Sequence, residues 1–176
     1  LSNVYLFTGQ ETYLLDKELQ RWKEWFISKF WSDSVFLFGL DNLDINLLKQ
    51  AIYNSGLFTT KKLILIHGIP LDWSTKLDED NAKAFDEFLD KFIKAEGRIP
   101  DDSLLVFISA IPDKRLRLYK FLDKHATVKE FNQLKGGSLD DFVKQELHEF
   151  YIDKAVIHYF LTKVWSDLYR IRFECD

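Results

Sequence analysis

The run Val4-Tyr5-Leu6-Phe7-Thr8-Gly9-Gln10-Glu11-Thr12-Tyr13-Leu14-Leu15 decides how this chain is read. Four consecutive apolar residues closed by Thr8-Gly9 read as a short strand buried on both faces, because a half-exposed strand alternates apolar and polar side chains. After the glycine the period changes. Leu14, Leu15, Leu19, Trp22 and Phe26 recur at three- and four-residue steps, and Glu11, Lys17, Glu18, Arg21 and Lys23 fill the opposite face, which predicts an amphipathic helix.

The same alternation repeats downstream. Val35-Phe36-Leu37-Phe38, ended by Gly39, reads as a second strand, and Asp44 stands where the N-cap of a helix through Leu47, Leu48, Ala51 and Ile52 belongs. Leu63-Ile64-Leu65-Ile66 is the most strongly patterned strand, terminated by Gly68 and Pro70. Asn81 to Lys94 predicts a helix with Ala84, Phe85, Phe88, Leu89 and Phe92 on one side. Leu104 to Ile108 supplies a fourth strand, Pro112-Asp113 opens a helix through Leu116, Leu118, Tyr119 and Leu122, and Thr127 to Phe131 is the fifth strand. Uniformly apolar strands alternating with helices predict an α/β fold with a five-stranded parallel sheet flanked by helices. Beyond Lys135-Gly136-Gly137 no strand pattern follows. Ser138 reads as an N-cap with Asp141 at the capping-box position, and further helical segments begin at Ile152-Asp153 and near Ser166-Asp167. Residues 1–136 are therefore expected to form an α/β domain and residues 137–176 a small helical domain, with no internal repeat or low-complexity segment.

Composition bounds the function. At 176 residues and 47% hydrophobic the chain can bury a substantial core, and seven Gly with three Pro leave few breaks in long regular elements. A net charge of −4 argues against a surface built as a whole to neutralise phosphates and leaves room only for a local basic stripe. With one cysteine, Cys175, neither an internal disulfide, a zinc site nor a CxxC pair can be assembled, which points to a reducing compartment such as the cytoplasm. No apolar run approaches the ~20 residues of a spanning helix, and Leu1-Ser2-Asn3 has no signal-peptide character. Met is absent even at position 1, and a helical spacing through Leu161, Val164, Trp165, Leu168 and Ile171 continues almost to Asp176, so the sequence reads as a piece of a longer chain.

Catalytic chemistry finds little footing. A strand running through a glycine into a helix invites a phosphate-binding reading. Thr8-Gly9-Gln10-Glu11-Thr12 nevertheless has a single Gly and no Lys-Ser or Lys-Thr, so it matches neither GxxxxGK nor GxGxxG, and Glu11 would repel a phosphate. The third strand ends in His67-Gly68, where a P-loop ATPase carries its Mg-binding acid. No cofactor and no catalytic residue is expected. His67, His125, His148 and His158 are dispersed without metal-ligand spacing, and Cys175 has no nearby His.

Two features remain. Ser55-Gly56-Leu57-Phe58-Thr59-Thr60-Lys61-Lys62 sets an apolar pair inside a small, polar connection; Leu57 and Phe58 either turn inward to seal the sheet or project toward a partner. Asp113-Lys114-Arg115-Leu116-Arg117-Leu118-Tyr119-Lys120, followed by Lys124, is either a solvated basic face or a contact for nucleic acid or an acidic partner.

Taken in order, these pieces resemble the delta subunit of the bacterial DNA polymerase III clamp loader along nearly the whole chain. Val4 to Leu15 is similar to the family's opening strand, degenerate loop and helix. Ser55 to Ile66 resembles its clamp-contact loop and following strand, with the Leu-Phe pair and the basic residue before the strand both present. Leu104-Leu105-Val106-Phe107, then Asp113-Lys114-Arg115 with Leu118-Tyr119-Lys120, then Val128-Lys129-Glu130-Phe131 resemble the fourth strand to the fifth, and Ser138-Leu139-Asp140-Asp141-Phe142-Val143 the start of the lid domain. The resemblance implies a clamp-loader-type ATPase fold that has lost nucleotide binding, a helical lid, and a collar domain absent from this chain. It implies a non-catalytic subunit that binds the sliding clamp (the beta subunit), opens its ring for loading onto primed DNA, and assembles with other loader subunits without touching a membrane. Leu57 and Phe58 would enter an apolar pocket on the clamp, with Ser55 and Gly56 shaping the approach; Ser55 stands where some members carry a larger apolar residue. Any DNA contact would be weak or indirect, through Lys114, Arg115, Arg117 and Lys120. The rival functions are a phosphate-handling enzyme with an aberrant loop and a nucleic-acid-binding module using the basic run from Lys114 to Lys124.

Overall fold

The computed structural model describes residues 3–39, 43–54, 61–68, 79–146, 153–164 and 166–175. The chain divides into two compact units, Leu1–Phe131 and Asn132–Asp176, the division falling ahead of the Gly136-Gly137 pair. In the first unit β1 (Val4–Thr8) leads into α1 (Thr12–Phe30), and a 3-10 turn at Ser32–Ser34 precedes β2 (Val35–Phe38). Then come α2 (Ile45–Tyr53), β3 (Lys62–His67), α3 (Glu79–Lys94), β4 (Ser103–Ser109), α4 (Arg117–His125) and β5 (Thr127–Glu130). The five strands form one parallel sheet in the order β2-β3-β4-β1-β5. All strands therefore end at one edge, where the loop after β1 meets the ends of β3 and β4.

The continuous apolar runs follow from burial on both faces combined with the two-residue period of a strand. Phe7, Leu63, Leu65, Val106 and Ile108 face Leu15, Leu19 and Phe26 of α1. Leu6, Ile64, Ile66, Leu105 and Phe107 face the opposite way, against the buried sides of α2, α3 and α4. At the sheet edges the cover thins: Leu37 of β2 and Val128 of β5 are exposed. Asp44 caps α2 as its position predicts, its Oδ1 accepting the N–H groups of Asn46 at 2.8 Å and Leu47 at 3.2 Å.

Two helix starts differ from the sequence reading. Pro112-Asp113 does not open α4. The Asp113 carboxylate accepts the Arg115 N–H at 2.8 Å and the Asp113 carbonyl accepts the Leu116 N–H at 3.1 Å, closing a separate turn. The helix begins only at Arg117, after an extended Leu116, because a short acidic side chain competes with the helix for nearby backbone donors. Ser138 likewise is not an N-cap. Gly136, at φ +55°, turns the chain earlier and its carbonyl accepts the Leu139 and Asp140 N–H groups. Ser138 lies inside the helix, its Oγ donating back to the Lys135 carbonyl, and Asp141 pairs forward with Lys144 at 3.7 Å.

The second unit contains α5 (Gly137–Glu146), α6 (Lys154–Val164) and α7 (Leu168–Cys175). Leu139, Phe142, Val143, Ile157, Val164, Leu168 and Ile171 are buried there, and Arg172 reaches Glu146 at 3.4 Å. Among the described residues no helix is long and apolar enough to cross a membrane.

Candidate functional site

The loop after β1 occupies the place at which a P-loop cradles phosphate with successive backbone N–H groups. Here the protein's own carbonyls take those donors. Gly9 N–H donates to the Ala110 carbonyl at 3.0 Å, and Glu11 N–H to the Phe131 carbonyl at 3.0 Å, while Phe131 N–H returns to Thr8 at 2.7 Å. The approach is close enough that a Cβ on Gly9 would stand 2.1 Å from the Phe131 oxygen, and Gly9 has φ +125°. Sequence reasoning missed Phe131 as the filler of this loop, since a backbone carbonyl leaves no mark on residue choice.

Beside the loop lies a cleft of about 430 Å³ lined by Thr12, Leu15, Asp16, His67, Gly68 and the stretch from Ile108 to Ile111. Among the described residues its lining includes no Lys or Arg. Desolvation pushes the His67 imidazole below its ordinary value, only partly offset by the Asp16 carboxylate, so His67 is neutral at pH 7 and brings no cation for a polyphosphate. Among the described residues no group of His, Cys, Asp and Glu is placed to hold a metal ion.

Ser55, Gly56, Leu57 and Phe58 lie outside the described residues, but the frame on either side of them is defined. α2 ends at Tyr53, and Asn54 follows with an extended backbone, φ −84° and ψ 117°. On the return side Lys61 is exposed, whereas Lys62 is only 2% exposed. The Lys62 Nζ donates to the carbonyls of Ala51 at 2.8 Å, Ile52 at 3.3 Å and Asn54 at 2.8 Å. Ser103 Oγ adds a second donor to Ile52 at 2.9 Å. One signal could have marked Lys62: it shares its strand face with Ile64 and Ile66, which pack on α2, so the period of two turns this lysine inward.

Two cations of the basic run are answered by the protein's own acids. Arg115 pairs with Asp113 at 2.8 Å, and its hydrogen bonds hold the Asp113 carboxyl below the usual range. Arg117 pairs with Asp90 of α3. Lys114 lies 5.9 Å from the centre of the Tyr119 ring, and Lys120 and Lys124 are exposed. The structure thus engages Arg115 and Arg117 with acids, while Arg117, Lys120 and Lys124 lie on one exposed face of α4.

A further cluster was not singled out from the sequence. The Glu18 carboxylate accepts from Arg21 at 2.8 Å, Trp22 Nε1 at 2.9 Å and Lys129 Nζ at 2.6 Å. Led by the Arg21 hydrogen bonds, these donors bring its pKa down to about 2 against the opposing effect of burial. The Lys129 ammonium stands 4.9 Å from the Trp22 ring and 5.4 Å from that of Phe7, and so clamps α1 to β1 and β5.

A parallel sheet of this order, with a helix leaving the loop after its first strand and that loop closed by its own chain, defines the class: a clamp-loader and AAA+-type fold. The family model for the DNA polymerase III delta subunit matches residues 5–132, and the chain belongs to that family. Among solved structures it is similar to the Bacillus subtilis DNA clamp loader delta protein, with TM-score 0.65 and 19% identity over 99% of this chain and 52% of that one. It is also similar to a DNA polymerase III gamma subunit-related protein from Thermotoga maritima (TM-score 0.52, 17% identity, 99% and 52% covered). AMPPCP-bound DnaA from Aquifex aeolicus shares the fold as well (TM-score 0.59, 16% identity, 98% and 53% covered). The chain thus spans about half the length of these proteins. Among curated proteins nothing matches it.

Proposed function

We propose that this chain is the clamp-binding part of a delta subunit, which engages the ring-shaped sliding clamp (the beta subunit) and holds one of its interfaces open for loading onto primed DNA during replication. The family match over residues 5–132 carries this reading. Leu57 and Phe58 form the contact by entering an apolar pocket on the clamp, and Ser55 and Gly56 shape the approach. The subunit does this without catalysis or nucleotide of its own, a reading supported by the Ala110 and Phe131 carbonyls on the loop amides. Residues 137–176 act as the lid, the other loader subunits join through a collar domain in the full-length protein, and the work takes place in the bacterial cytoplasm. DNA contact is weak or indirect.

The test is calorimetric titration of the full-length protein with the sliding clamp of its source organism, beside thermal unfolding. Leu57→Ala with Phe58→Ala removes apolar burial worth roughly 1.5–3 kcal/mol each. Clamp affinity is then expected to fall on the order of a hundredfold or more, with an unchanged melting curve. Retained binding in the folded double variant overturns the proposal. So does a large loss of stability, on the order of 2–5 kcal/mol for each truncation, which is the signature of a pair that seals the sheet.

A further inference from the structure

We infer that Lys62 is a positioning residue for the clamp contact, setting the spacing and direction in which the chain leaves α2 and enters β3; this rests on the proposed role of Leu57 and Phe58. The last carbonyls of a helix have no intrahelical donor, and a left-handed glycine commonly satisfies them. α2 ends differently. Asn54 is extended, and the Ala51, Ile52 and Asn54 carbonyls converge on one ammonium carried by the neighbouring strand. All three donors of that ammonium are used, and its charge sits on the negative end of the helix.

The same residue fixes the other stem. Lys62 N–H donates to the Asp102 carbonyl at 2.6 Å, and Lys62 pairs in register with Ser103 of β4. Ser103 Oγ in turn holds Ile52. Ile52 near the end of α2 and Lys62 at the start of β3 are thereby both tied to the start of β4. Burying an ammonium is costly, and an apolar side chain would suit this core position. What the lysine adds is a preset pair of stems, so that less conformational freedom is lost when the segment binds.

The experiment is a double-mutant cycle on the full-length protein, read as clamp affinity by titration calorimetry with the sliding clamp of the source organism. Lys62→Met removes the donors at similar length; Lys62→Gln keeps part of them and takes its place if the Met variant does not melt cooperatively. Each is placed in the native background and in the Leu57→Ala/Phe58→Ala background. In the native background affinity is expected to fall roughly tenfold, and in the truncated background by less than about twofold, because a positioning effect has nothing left to position. Lys62→Arg, able to reach the same carbonyls, is expected to restore most of the native affinity. Equal weakening in both backgrounds, or none in the native one, overturns the role of Lys62 alone. Undiminished binding by the Leu57→Ala/Phe58→Ala protein overturns the clamp-contact reading and the Lys62 role with it.

Discussion

A Cβ built on Gly9 would stand 2.1 Å from the Phe131 carbonyl oxygen, at φ +125°. Neither atom belongs to a flexible side chain, so Gly9→Ala must move backbone. The substitution is expected to cost at least about 1–3 kcal/mol of stability and to lower Tm by roughly 4–10 °C in thermal unfolding. Glu18 governs acid sensitivity in a different way. Its folded pKa, about 2 against an ordinary 4.5, is depressed by Arg21, Lys129 and Trp22. A depressed carboxyl contributes stability that is fully present above its unfolded pKa and is lost as pH falls through the folded one. The stability difference between native protein and Glu18→Gln is therefore expected to be constant above about pH 5 and to shrink steadily toward pH 2, measured by urea unfolding across that range. A difference that grows on acidification would contradict the assignment.

The loop after β1 has the strand–glycine–helix shape of a phosphate-binding turn with backbone amides already engaged. Its strand, its glycine and its helix remain, yet Gly9 and Glu11 direct their amides to Ala110 and Phe131. Nucleotide would have to displace two backbone hydrogen bonds and enter beside the Asp16 carboxylate and a neutral His67. Millimolar Mg-ATP is accordingly expected to leave Tm unchanged to within about 1 °C, since only a ligand that favours the folded state stabilises it; a rise of several degrees would count against the non-catalytic reading. Part of the aromatic content packs the elements together. Trp22 meets Tyr5 and Phe7 edge-on at 5.0 and 5.1 Å, and Phe92 of α3 joins Phe88, Phe107 and Phe121 into one aromatic layer. These rings bring helices onto the sheet.

For the protein as a whole, charge pairing bounds what DNA binding is expected. With Arg115 and Arg117 already engaged by Asp113 and Asp90, the cations left to meet phosphates in this run are Lys114, Lys120 and Lys124. Each phosphate neutralised adds about −0.9 to the slope of log K against log salt, so duplex binding is expected to be weak with a slope no steeper than about −3. Fluorescence anisotropy from low to physiological salt measures it, and tight binding at physiological salt would favour the nucleic-acid module. Strand and helix order and the Asp44 cap were legible in the sequence because each depends on neighbours within one or two turns, and the parallel sheet because strands buried on both faces alternate with helices. The start of α4 was not, since Asp113 could serve either a helix or a turn and the difference lies in backbone hydrogen bonds. The inward Lys62, the Phe131 carbonyl over Gly9, the Arg117–Asp90 pair and the Glu18–Lys129 clamp all join elements distant along the chain. Periodicity records which face of an element is buried; it carries no record of which carbonyl, ammonium or carboxylate the fold brings against that face, and only the packed structure supplies those partners.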